Sequence, residues 1–155
     1  MTRVATEKDA EGIGKVLAKS YSIKDDAEGK TVFLDETKKG ILYIVAKKNK
    51  TIIGIVTLKF HGLPKHGLCE LDRIAVLPEW KGKGIAEELF DALVQETKKW
   101  YGTKKATLRK LIILTHADNT RAQRFYEKMG CLHEATLKDH YYKGKDEFVY
   151  SRFFT

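Results

Sequence analysis

The chain has 155 residues, 43% of them hydrophobic, which suffices for one good core and not for two ordinary domains; residues 1–155 are expected to form a single domain. Lysine and arginine outnumber aspartate and glutamate 29 to 21, and the net charge of +8 favours anionic ligands without naming one. No apolar run approaches the ~20 residues that cross a bilayer, and Met1-Thr2-Arg3-Val4-Ala5-Thr6-Glu7 lacks a signal peptide's hydrophobic stretch, so a soluble, cytoplasmic chain with no membrane partner is expected.

Val4 and Ala5 open a short strand. Thr6-Glu7-Lys8-Asp9 then reads as a cap feeding a helix with Ile13, Val16 and Leu17 on one face. Gly12 and Gly14 weaken that helix, and their Gly-Ile-Gly spelling lies inside the helical pattern, where it marks no phosphate site. Residues 22–40 are mixed and polar, with a second helix expected around Asp25 to Lys38, Val32, Phe33 and Leu34 turned inward and Gly40 ending it. The β-rich runs 41–46 and 51–58, separated by Lys47-Lys48-Asn49-Lys50, read as a hairpin. A loop marked by glycine and proline follows at Gly62-Leu63-Pro64-Lys65-His66-Gly67, and Cys69 to Leu77 forms the next strand.

Pro78-Glu79-Trp80-Lys81-Gly82-Lys83-Gly84-Ile85-Ala86 joins that strand to a helix in which Ile85, Leu89, Leu93, Val94 and Trp100 recur at helical spacing, ending near Tyr101. Leu111 to Thr115 is another strand, and a strand, helix, strand unit of this kind implies a parallel pair. Asn119 starts a helix carrying Ala122, Phe125, Tyr126 and Met129, closed by Gly130. Two final strands, Cys131 to Tyr142 and Glu147 to Phe154, flank Lys143-Gly144-Lys145-Asp146.

The glycines after the Cys69 to Leu77 strand sit at a helix N-terminus. Free N–H groups and the positive end of the helix dipole favour an anion there, and Gly82 and Gly84 let it approach the backbone. A P-loop needs Gly-Lys-Ser or Gly-Lys-Thr, and a dinucleotide fold needs a third glycine and an acidic partner; neither pattern is complete. Taken alone, the segment also reads as a surface turn with no ligand. The lysine doublets Lys38-Lys39, Lys47-Lys48, Lys98-Lys99 and Lys104-Lys105 are scattered, so a solvated surface is favoured over a nucleic-acid face. Cys69 and Cys131 lie in apolar segments and read as reduced core thiols, and the histidines His61, His66, His116, His133 and His140 show no metal-ligand spacing, so no metal is expected.

Asn119-Thr120-Arg121-Ala122-Gln123-Arg124-Phe125-Tyr126-Glu127-Lys128-Met129-Gly130, one strand beyond the glycine turn, narrows the reading. With it the chain resembles the GNAT acyltransferases. Their signature of Gln or Arg, two residues, Gly, one residue, then Gly or Ala is met by Lys81, Gly84 and Ala86, with Lys81 a conservative departure. Their later pattern is met by Asn119, Ala122, Tyr126, Glu127, Lys128 and Gly130, and the order of elements agrees from Arg3 to Phe154. The resemblance implies a single-domain α/β (α+β) fold: a mixed, mostly antiparallel sheet of six or seven strands with about four helices, its central parallel strands splayed.

It further implies acetyl-CoA as cosubstrate and an amine acceptor, with direct attack in a ternary complex. The pyrophosphate would receive N–H groups from Gly82, Lys83, Gly84, Ile85 and Ala86, while the pantetheine arm adds as a strand to Ile74, Ala75 and Val76. A backbone N–H near Ile74 or Ala75 would meet the oxyanion. Tyr126 is the family's candidate acid for the departing thiolate, although a tyrosine beside Ala122 and Met129 also packs as core. Asn119 either contacts the cofactor or caps its helix. Glu70, six residues before Val76, is placed where some members carry a base, and it equally suits a solvent-facing carboxylate or a lysine partner. Residues 22–40, the loop Leu63 to Gly67 and the final hairpin with Tyr141 and Tyr142 would form the acceptor pocket, and the C-terminal strands offer a homodimer contact. A CoA-binding module without transfer chemistry, and a basic nucleic-acid binder, are the competing readings.

Overall fold

The apolar runs become seven strands: Thr2–Val4 (β1), Leu42–Lys48 (β2), Thr51–His61 (β3), Leu68–Val76 (β4), Lys110–His116 (β5), Leu132–Tyr142 (β6) and Lys145–Phe153 (β7). Four helices accompany them, Ala10–Ser20 (α1), Asp26–Lys38 (α2), Ile85–Thr103 (α3) and Thr120–Lys128 (α4). The computed structural model describes every residue from Met1 to Thr155 and orders the strands β1-β2-β3-β4-β5-β7-β6 in one sheet. Strands β4 and β5 are parallel, whereas β1–β2, β2–β3, β5–β7 and β6–β7 are antiparallel, which is the mixed, mostly antiparallel architecture expected. None of the helices is long and apolar enough to cross a membrane.

By its contacts the chain divides into two compact units, Met1–Lys59 with Arg73–Thr97, and Phe60–Asp72 with Lys98–Thr155. In the first, Ile13, Val16 and Leu17 of α1 and Phe33 of α2 bury against Tyr43, Val45, Ile55 and Ala75. The Phe33 and Tyr43 rings meet edge to face at 4.9 Å. Where the sequence suggests only that Gly14 weakens α1, the structure gives it a packing role. A β-carbon on Gly14 would stand 2.6 Å from the Asp26 carbonyl oxygen and 2.8 Å from the Lys30 nitrogen, so the backbones of α1 and α2 cross without side chains between them. Gly12 instead lies against a side chain, its β-carbon position 2.9 Å from Ile52 Cδ1. The entry to α1 is held by Asp9, whose carboxylate accepts the Thr6 N–H at 2.8 Å and both Arg3 guanidinium nitrogens at 2.7 and 2.8 Å. The Arg3 hydrogen bonds outweigh burial and hold the Asp9 carboxyl below its usual range, so its stabilisation is present at neutral pH and fades as acid titrates it.

The β2–β3 hairpin closes at Asn49 and Lys50, both left-handed at φ of 48° and 69°, the two-residue turn whose twist matches the strands. Both strands run past the expected ends, β2 to Lys48 and β3 to His61. In the second unit, Phe60 stacks on Trp100 at 4.0 Å between ring centroids, and the buried Tyr101 hydroxyl donates to the Leu68 carbonyl at 3.0 Å. The β4–β5 ladder runs from Leu68↔Lys110 to Leu71↔Ile113, and both strands continue beyond it.

The crossing at Gly14 makes opposite predictions for two helical glycines. Gly14→Ala is expected to lower unfolding stability by about 2 kcal/mol through overpacking against backbone. Gly102→Ala, where a β-carbon meets nothing within 4 Å, is expected to raise stability by about 0.5 kcal/mol. Denaturant titration of the two variants checks both signs.

Candidate active site

Strand β4 leads into the glycine turn through Leu77, whose N–H donates to the Ile53 carbonyl of β3 at 2.8 Å. Pro78–Trp80 forms a single 3-10 turn closed by the Lys81 N–H on Pro78 O at 3.3 Å. Gly82 and Gly84 then take φ of +76° and +81°, a region that admits a β-carbon only with strain. A β-carbon at either would meet no protein atom within 4 Å, so the backbone angle, and no crowding, is what asks for glycine here. Gly84 O accepts the Glu88 N–H at 3.1 Å as α3 begins, which leaves the N–H groups of the turn ahead of the helical ladder.

Lys81 to Gly84 are exposed, and Lys83 places its ammonium 5.6 Å from the Trp80 ring centre. Glu87 and Glu88 occupy the first turn of α3, where carboxylates complement the helix dipole. The base of the turn is fixed by Gly54 of β3, whose β-carbon would stand 3.0 Å from both Ala75 O and Leu89 Cδ1. Ile74, Ala75, Val76 and Lys81 to Ala86 are thus gathered in one continuous strand, turn and helix of the first unit. The turn's backbone donors, with two lysines, form a donor set that fits a pyrophosphate.

The remaining sequence-identified residues lie in the second unit. Glu70 stands on β4 opposite Ile112, and its carboxylate, 15% exposed, hydrogen-bonds His61 Nε2 at 2.8 Å. Its partner is thus a histidine, where the alternative to the base role names solvent or a lysine. On α4, Asn119 caps the helix by accepting the Ala122 N–H at 3.1 Å. Tyr126 is buried, with its ring 5.5 Å from Phe125 and 6.4 Å from Tyr150. Gly130 ends α4 at φ +88°, where the Cys131 N–H reaches back to Tyr126 O at 2.9 Å. Asn119, Ala122 and Tyr126 thus share one helix, and Glu70 is carried by another element.

Sequence reasoning missed three features. Tyr21, the first residue after α1, places its hydroxyl on both backbone polar groups of Ile74. Arg73 is held by Glu36 at 2.8 and 3.0 Å, and Glu36 also accepts the Tyr43 hydroxyl at 2.6 Å. Burial first, then the Glu36 carboxylate, push the Tyr43 phenol pKa up and keep it a proton donor. The third is a pair on facing strands, His116 Nδ1 with the buried carboxylate of Glu147. Register alone would have set His116 opposite Glu147, a signal available only once β5 and β7 are known to pair.

The model of the Acetyltransferase (GNAT) family matches residues 10–131. The chain belongs to this family. The GNAT chain is 38% identical over 87 residues to the spore coat polysaccharide biosynthesis protein SpsD of Bacillus subtilis (strain 168), over 56% of this chain and 27% of that one. It is 29% identical over 109 residues to N-alpha-acetyltransferase 30 of Schizosaccharomyces pombe (strain 972), over 68% of this chain and 67% of that one. The match thus spans 27% of the first relative's length and 67% of the second's. Among solved structures, the PaiA N-acetyltransferase of Thermoplasma acidophilum in complex with coenzyme A shares the fold, with a TM-score of 0.73 at 22% identity over 99% of this chain and 98% of that one. GNAT membership supports an acyltransferase, with acetyl-CoA as the donor the family uses.

Two thiols stand apart from this GNAT chemistry. Burial pushes the Cys69 thiol up to about 12 and the Cys131 thiol up to about 11, so both stay protonated at neutral pH. Alkylation at pH 8 is expected to be at least about 100-fold slower in the native chain than in the denatured one, a rate that mass spectrometry of quenched samples measures.

Proposed function

We propose that the chain works over residues 1–155 as one N-acetyltransferase domain, moving the acetyl group of acetyl-CoA to a primary amine. The observation that carries this reading is the left-handed turn at Gly82 and Gly84, which presents backbone N–H groups at the start of α3 in a chain of this family. Gly82, Lys83, Gly84, Ile85 and Ala86 take the pyrophosphate, Lys81 adds positive charge, and the edge of Ile74, Ala75 and Val76 takes the pantetheine arm. Asn119 and Ala122, at the start of the helix that carries Tyr126, are assigned to the donor as well, with Tyr126 as the acid.

The amine nitrogen attacks the thioester carbonyl carbon directly. Its proton passes to Glu70, itself or through water, the carbon–sulfur bond breaks, and the Tyr126 hydroxyl protonates the departing thiolate. Glu70 suits the base role because His61 fixes its carboxylate at 2.8 Å while leaving it partly exposed. The acceptor we favour is a peptide α-amine, the class that the name of the Schizosaccharomyces pombe relative points to. Lysine side chains and small amines complete the test panel.

Thiol release from acetyl-CoA across that panel is expected to be stimulated most by peptides with a free N-terminus; no stimulation by any amine would sink the transferase reading. Tyr126→Phe is expected to cut kcat about 100-fold while coenzyme A affinity, read by calorimetry, holds within about threefold. Equal small effects on both would remove the acid role. Gly84→Glu is expected to weaken coenzyme A binding by more than about 100-fold, since bulk and negative charge both enter the cradle, at a folding cost of only about 1–2 kcal/mol. Tight binding by a folded Gly84→Glu chain would move the site elsewhere.

A further inference from the structure

Successive N–H and C=O groups of an extended strand alternate between its two edges. In β4, Arg73 donates its N–H to Thr57 Oγ1 of β3 at 3.0 Å, and beyond the strand's end Leu77 donates to Ile53 O of β3 at 2.8 Å. The odd-numbered residues therefore face β3, and the N–H and C=O of Ile74 face the other edge. Both end on one atom. The Tyr21 hydroxyl accepts the Ile74 N–H at 3.0 Å and donates to the Ile74 carbonyl at 3.0 Å.

One phenolic oxygen thus does for Ile74 what one residue of a neighbouring strand would do. An N–H and C=O on an unpaired edge need a partner, and a tyrosine hydroxyl is a partner that can leave without unzipping a ladder. Tyr21 is placed for such a movement. It follows α1 directly, its own N–H closing the helix on Leu17 O at 3.1 Å, and its backbone is extended at φ −135°. Its ring lies over the Arg73 guanidinium at 5.6 Å, and Arg73 is itself clamped by Glu36. That stacked contact gives the ring a fixed surface to turn on.

Resting on the donor reading above, we propose that Tyr21 is a donor-site residue. Its hydroxyl holds the Ile74 edge of β4 in the free chain, and the amide-bearing pantetheine arm of acetyl-CoA takes over those two hydrogen bonds as the phenol turns away. Part of the arm's binding free energy is therefore spent on releasing Tyr21.

Calorimetry with two probes isolates this exchange: coenzyme A, and 3′-phospho-ADP, which carries the same nucleotide and pyrophosphate and no pantetheine arm. Tyr21→Phe is expected to bind coenzyme A about 3- to 10-fold more tightly than wild type, the worth of roughly one net hydrogen bond, with 3′-phospho-ADP affinity unchanged. In the wild-type chain, coenzyme A is expected to shift the NMR signals of the Tyr21 ring while 3′-phospho-ADP leaves them in place, a readout that does not depend on the variant folding. Unchanged or weaker coenzyme A binding by the variant, or a wild-type Tyr21 ring that coenzyme A leaves unmoved, would overturn the inference and leave the donor site standing. Failure of both probes to bind wild type would remove the donor reading and this inference with it.

Discussion

Gly82 and Gly84 turn the chain from β4 into α3 through two left-handed residues, and the rest of the first unit is arranged around that passage. A side chain at either position would cost about 1–2 kcal/mol in backbone strain, against a typical domain stability of 5–15 kcal/mol. Nothing in the protein crowds them. The fold by itself would therefore tolerate a β-carbon at either place. Under the donor-site proposal more is asked of them, because an anion held against the backbone there leaves no room for a side chain.

The strand feeding the turn is held by side chains from both directions. Thr57 takes the Arg73 N–H from the β3 side, and Tyr21 takes Ile74 from the other. Glu36 of α2 fixes the Arg73 side chain, and Tyr43 of β2 joins the same carboxylate. These contacts depend on where α1 and α2 lie, which the close backbone approach at Gly14 determines. Thus the close backbone approach at Gly14 sets the reach of Tyr21, and Tyr21 in turn covers the Ile74 edge, to which a pantetheine arm would add under the proposal. The part-buried Arg73 charge is satisfied through one guanidinium nitrogen, Nη1, which donates to both oxygens of the Glu36 carboxylate, and this pairing offsets part of the cost of desolvation.

Much of this was legible in the sequence where the signal is local. The hairpin at Asn49 and Lys50, the glycine end of α4 at Gly130 and the strand-to-helix turn at Gly82 and Gly84 are each written in a few neighbouring residues whose backbone angles only certain side chains allow. For Asn119 the sequence allows a helix cap or a cofactor contact, and the Ala122 N–H shows that the cap is made. What escaped were pairings between distant positions. Tyr21 and Ile74 are 53 residues apart, and Arg73 and Glu36 are 37 apart. His61 with Glu70 and His116 with Glu147 depend on the sheet placing strand ends side by side. Gly14 read as a helix weakness because its partner backbone, at Asp26 and Lys30, belongs to another helix.

Titration of coenzyme A into the amide-labelled chain tests most directly whether the β4–α3 turn is the donor site. The amide signals of Gly82, Lys83, Gly84, Ile85 and Ala86 are expected to move together with that of Ile74 and to saturate at one equivalent. Saturable binding that leaves all of these amides unmoved would contradict it.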